Sequence, residues 1–256
     1  AITLTESGNQ IDAISAVTPG AFTFSNAGAI LGAYQAASAT LTSPSTITIA
    51  QPGNFTLAAG HVFNAGSDIA IGAAGDLTVT GGTFNPGAGG STLLGASGNL
   101  LVPAGAAITS VESLALGAGS QLSLANGSSV TVSAGSLTLA GSQVSVDGAT
   151  AKATNNSVLV SAGQLMLNNG ALIEAGDGLV VSAGMVQLGN GSELKAANNA
   201  VVAAAGSVTF TDTSRLIATS GDAIVEVGGG ITLENGSYIK AGNDVEPVLN
   251  GPNSVL

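Results

Sequence analysis

Cut before successive glycines, the second half of the chain falls into segments of about 21–23 residues that repeat one another, a period that belongs to solenoids. One coil runs from Gly163 to Ala183, and the next opens at Gly184 and closes at Val201-Val202-Ala203. Two more open at Gly206-Ser207-Val208-Thr209-Phe210 and Gly229-Gly230-Ile231-Thr232-Leu233. Each coil carries three short alternating segments, as in Leu165-Met166-Leu167, Leu172-Ile173-Glu174-Ala175 and Leu179-Val180-Val181. Alternation with period two sends one row of side chains inward and the other to solvent. The Gly, Asn and Asp residues between the segments suit tight corners. A single coil cannot bury its inward row, whereas a second coil stacked about 4.8 Å above it pairs the backbone and covers that row. The chain therefore reads as all-β, a single parallel β-helix with three short strands per coil. Parallel crossovers are right-handed in about 98% of cases, which makes a right-handed coil the expectation.

The first half is similar in kind, with segments at 47–49, 55–57, 69–71, 77–79, 114–116, 122–124 and 130–132. One continuous β-helix over 1–256 is expected, less regular over 1–110, regular over 111–249, with a tail at 250–256. The period breaks around Tyr34 to Pro44 and Asn85 to Ser91, where loops are expected. At roughly 22 residues per coil the chain makes about eleven or twelve coils, a rod of about 55 Å.

Composition narrows the function classes. Hydrophobic residues make up 45% and charged residues only 7%, yet the apolar runs are short and bounded by Gly or Asn. None approaches the roughly 20 residues of a spanning helix. Outer-membrane strands need about 9–11 residues and aromatic girdles, and this chain has no Trp and two Tyr. A net charge of −11, with Lys152, Lys195, Arg215 and Lys240 as the only strong cations, leaves phosphate backbones almost nothing to bind. Cysteine is absent, so there is no disulfide framework and no thiolate site. The sequence starts at Ala1 with the strand-like Ile2-Thr3-Leu4 and no leader pattern, as expected of a mature product or an excised fragment.

The repeats Gly75-Asp76-Leu77-Thr78-Val79, Gly135-Ser136-Leu137-Thr138-Leu139 and Asn26-Ala27-Gly28-Ala29-Ile30-Leu31-Gly32 resemble those of filamentous haemagglutinin-type exoproteins. The resemblance covers most of the chain as a repeat region, without an Asn-Pro-Asn-Gly secretion signature. It implies two-partner secretion through an outer-membrane transporter and a place on the bacterial surface or in a biofilm matrix, as an adhesin or rod.

Chemistry-bearing residues are sparse. His61 is the one histidine, and Ser67 with Asp68 follows it, but serines are abundant, so a solvated loop histidine is expected rather than a triad. Asp68, Asp76, Asp147, Asp177, Asp212, Asp222 and Asp244 mostly sit where turns favour Asp, without the nonapeptide calcium pattern. No metal or other cofactor is implied. Polysaccharide-degrading β-helices need convergent carboxylates, and here Glu6, Asp12, Asp68, Asp76 and Glu112 are scattered through the first half. Thr46-Ile47-Thr48 and Thr78-Val79-Thr80 suggest a water-ordering array, yet the regular coils carry Gln164 and Met166, or Met185 and Gln187, in that place. Glycosylation sequons begin at Asn54, Asn126, Asn155, Asn190 and Asn235, although Asn-Gly also suits a tight corner.

The expected function is a non-catalytic structural and adhesive rod, with matrix or cell-surface glycans or further copies of itself as partners. The alternatives are a polysaccharide-degrading enzyme and an end-to-end filament. For the filament, 2–4 offers a pairing edge, whereas Pro247 and Pro252 would cap the other end. Two structural groupings follow from the period. Glu174 and Lys195 should form an ion pair between coils, worth roughly 0–1 kcal/mol. Asn169, Asn190, Asp212 and Asn235 fall at one corner of four coils, where a structural ladder of inward-pointing side chains is expected; outward placement would exclude that ladder and leave Asn190 and Asn235 open to glycans.

Overall fold

The computed structural model describes residues 2–4, 14–18, 21–25 and 30–249. All of its regular elements are strands, and they stack in parallel as a β-solenoid. Three ladders run along it. The first face is a sheet of twelve strands, from Ile2–Leu4 to Tyr238–Lys240. The second runs from Ile14–Val17 to Val245–Leu249, and the third from Phe55–Leu57 to Ile231–Leu233. The second and third ladders form one 18-stranded sheet. They join because Leu137–Asp147, Val158–Asn168 and Leu179–Leu188 continue around the corner without a break.

Register follows the repeat. Leu165 pairs with Val186, Val186 with Val208, and Val208 with Ile231, so the segments aligned by their glycines are successive rungs of the third face. Within each strand burial alternates, as in Leu172–Ala175, where Ile173 and Ala175 are inside. One inward column of the first face tapers. It reads Phe24, Leu41, Phe63 and Phe84, then Ser110 and Val132, then Ala153, Ala175, Ala196 and Ala218. The Phe63 and Phe84 rings stack with centroids 5.3 Å apart and planes 2° from parallel.

The stretch from Tyr34 to Pro44 corrects the sequence reading, because Ser38–Ser43 is a strand with Ala39, Leu41 and Ser43 buried. The period shortens there for a topological reason. Only Ala36 and Ala37 separate the second-face strand Ile30–Gln35 from Ser38–Ser43, so this coil has no third-face strand. At 85–91 the departure is small: Pro86 to Gly90 makes a wider corner between Gly81–Asn85 and Ser91–Ala96. Pro247 pairs in register with Val225. Ala223 N–H donates to the Asp244 carbonyl, so the amides of Glu246 and Val248 face the preceding coil and the missing N–H of Pro247 falls on the outer edge. Pro252 and the rest of 250–256 lie outside the described residues, as do Glu6, Asp12 and the first four residues of the motif at 26–32.

The corner between the third and first faces is built the same way in successive coils. Asn169 and Gly170 both have positive φ (56° and 73°), and Ala171 N–H donates to the Asn168 carbonyl. Asn190 with Gly191 and Asn235 with Gly236 repeat this two-residue left-handed turn. Asp212-Thr213 departs from the rule, since Thr213 is β-branched at φ 63° where neighbouring coils carry glycine. We expect Thr213→Gly to stabilise the protein by about 1 kcal/mol, relief of strain outweighing the extra chain entropy of glycine. Urea unfolding reads it directly, and a destabilised variant would show that the Thr213 side chain supports the corner.

Candidate functional site

The chain's four strong cations all project from the first face. Lys152, Glu174, Lys195, Ile217 and Lys240 are consecutive rungs of one outward column, and Glu193, Arg215 and Tyr238 are rungs of the next. The Glu174 carboxylate sits between two lysines, 2.8 Å from Lys152 Nζ and 2.9 Å from Lys195 Nζ. Arg215 Nε lies 2.6 Å from the Glu193 carboxylate. Donation by Lys152 and then Lys195 holds the Glu174 carboxyl below its usual range, and Glu174 in turn raises Lys195. Tyr238 and Glu193 raise Arg215. The expected Glu174 and Lys195 pair is thus part of a longer stripe that also takes in Lys152, Glu193 and Arg215. Its missed members were readable, because partners 21 or 22 residues apart are one coil apart. Half-exposed pairs of this kind contribute roughly 0–1 kcal/mol each.

The corner carboxylates are joined to the next coil. Asp68 accepts from the Ser91 N–H at 2.8 Å and the Ser91 hydroxyl at 3.0 Å, which lowers its pKa. Asp76 accepts from the Asn99 N–H at 2.8 Å, and its own N–H donates to Asn54 Oδ1 at 2.9 Å. Asp177 accepts from Asn198 Nδ2 at 2.6 Å, and Asp222 accepts from the Asp244 N–H at 3.3 Å. At the corner between the third and first faces Asn169 Nδ2 donates to Asp147 at 2.5 Å, Asn190 Nδ2 to Asn169 at 3.4 Å, and Asn235 Nδ2 to Asp212 at 2.9 Å.

This corner ladder is on the outside. Asn169, Asn190, Asp212 and Asn235 are exposed, so outward placement and side-chain laddering occur together rather than excluding each other. Solvated amides still bridge coils because the rung spacing of about 4.8 Å is set by the backbone. The sequons are not open throughout: Ser192 is fully buried, its hydroxyl donating to the Gly189 carbonyl at 2.6 Å, and Ser128 is buried as well. Among the described residues no three His, Cys, Asp or Glu side chains gather as metal ligands.

No protein-family model, no curated protein and no solved structure matches the chain.

His61 corrects the sequence reading most clearly. It is 1% exposed, not solvated. Its Nδ1 donates to the Ala58 carbonyl at 2.7 Å, and its ring packs between Tyr34 and Phe63 at centroid distances of 5.6 and 6.2 Å. Tyr34 in turn meets Phe55 edge-on at 5.5 Å. Ser67 and Asp68 belong to the outer corner beyond the strand Val62–Ala65, bonded to each other at 3.2 Å. The available signal was aromatic spacing: Phe63 and Phe84 lie one coil apart, which marks a wide aromatic interior into which the adjoining His61 side chain turns.

Burial lowers the His61 pKa from its ordinary 6.5. Below pH 6.5 the unfolded chain binds a proton that the folded chain resists, so stability is full above that pH and falls as the pH drops toward the lowered folded value. Thermal midpoints should fall for the native chain as the pH is taken from about 7.5 to about 5, while His61→Phe should stay nearly flat. Equal slopes for the two would show that other groups set the dependence.

Proposed function

We propose that this chain is a non-catalytic structural rod of a secreted bacterial surface or biofilm-matrix protein, which spaces or presents adhesive regions. One observation carries the reading. Of the acidic groups that other β-helices devote to hydrolysis, eight are engaged here in bonds between coils: Asp68, Asp76, Asp147, Asp177, Asp212, Asp222, Glu174 and Glu193. A carboxylate that accepts from the next coil fixes register and is ill placed to trade protons with a substrate. The uninterrupted parallel ladder supports the same conclusion, because a stack bonded at every rung resists bending and extension along its axis. The resemblance to filamentous haemagglutinin-type exoproteins supplies the surface location and the outer-membrane transporter as part of this proposal. Glycans of the cell surface or matrix are its proposed partners.

The location is tested with an antiserum against the folded chain, applied to intact and to permeabilised cells of the natural producer. The proposal expects intact cells, or the surrounding matrix, to label as strongly as permeabilised ones. Label that appears only after permeabilisation would overturn it.

A further inference from the structure

The second face differs from the first, which carries all four strong cations. Its five- and six-residue strands are broader than the three- and four-residue strands of the third, which is also nearly free of charge. From Ile47–Gln51 to Ala200–Ala204 no residue on this face is charged, Asp147 lying at the third-face end of Leu137–Asp147, in a chain of net charge −11. Two outward columns run through every strand of this stretch. The earlier one forms a ridge through Leu93, Leu159 and Val180, which are 50, 43 and 41% exposed. The later one, two residues on, forms a trough through Gly95, Ser161 and Ser182. Register keeps each set in its own column along the rod. A Cβ added at Gly95 would meet nothing within 4 Å, so the trough is open space.

We propose that a second copy of this chain docks on this face, side by side and pointing the same way. A two-fold axis parallel to the rod reverses the order of positions across the face while keeping the rungs level. Leu93 of one copy then lies over Gly95 of the other, Leu159 over Ser161, and Val180 over Ser182. The alternative two-fold, along the strands, sets ridge on ridge.

Charge selects the same arrangement. The corner entering this face carries Asp68, Glu112 and Asp177, whereas the corner leaving it carries Asp76 alone over the same rungs. The parallel pairing sets the acidic corner of one copy against the nearly neutral corner of the other, and the antiparallel one sets acid against acid. About eight rungs at about 4.8 Å and a width of roughly 15 Å give about 550 Å² per copy, or about 1,100 Å² buried in all, enough for a weak, reversible dimer.

Sedimentation equilibrium on the full chain, from about 10 to 500 μM, should show the mass rising toward twice the monomer's, with Kd on the order of 10–100 μM. Gly95→Arg combined with Ser161→Arg should weaken association at least about tenfold, and Ser145→Arg on the third face should leave it unchanged. Circular dichroism confirms that each variant keeps its β spectrum. Because the chain has no cysteine, orientation is read separately. Chains with Ala115→Cys mixed with chains carrying Gly117→Cys should form a mixed disulfide in excess over either variant alone. A monomer at every concentration, a dimer untouched by the arginines, or no excess of the mixed disulfide would each overturn the proposal.

Discussion

Backbone hydrogen bonding between one coil and the next is the interaction on which the rest of this structure depends. In a parallel ladder each rung takes its register from the rung below, so one pairing such as Leu165 with Val186 places every side chain of that coil. The core, the charged stripe and the corner ladders are columns generated by that rule. A column gains when its members suit one another at about 4.8 Å spacing, as stacked phenylalanines, alternating lysine and glutamate, or asparagine donating to aspartate all do.

Because the chain spends its few charges in columns, they act on register more than on net stability. Glu174 between Lys152 and Lys195 favours one coil alignment, and a slip of one residue would turn these groups inward. The corners work similarly, with left-handed Asn-Gly pairs setting the turn and their amides bridging coils outside. This leaves the second face uncharged from Ile47–Gln51 to Ala200–Ala204, where its ridge and trough run side by side.

How much was legible followed from whether a residue obeys the period. The parallel fold, the third-face rungs from Leu165 to Ile231, the column of Glu174, Lys195, Ile217 and Lys240, and the corner shared by Asn169, Asn190, Asp212 and Asn235 all follow from counting along the coil. Direction at a corner does not follow from counting, since Asn suits an inward or an outward turn alike, and only the structure places the ladder outside. Sequence alone misplaces His61 because loop position ordinarily means solvent, whereas here the aromatic coils leave room for the ring inside. It misplaces the stretch at 34–44 because a coil with only two strands breaks the period without ending the stack.

The central claim is that outward residues of one column are spaced by whole rungs, and pulsed electron-spin distance measurements test it most directly. Spin labels introduced by paired cysteine substitution at Lys152 with Lys195, and at Thr131 with Ile217, span two and four rungs of one column. The stacked coil predicts mean separations that grow by about 4.8 Å per rung, near 10 and 19 Å before label length is added, with narrow distributions. Separations that do not scale with rung number, or broad distributions at both pairs, would contradict it.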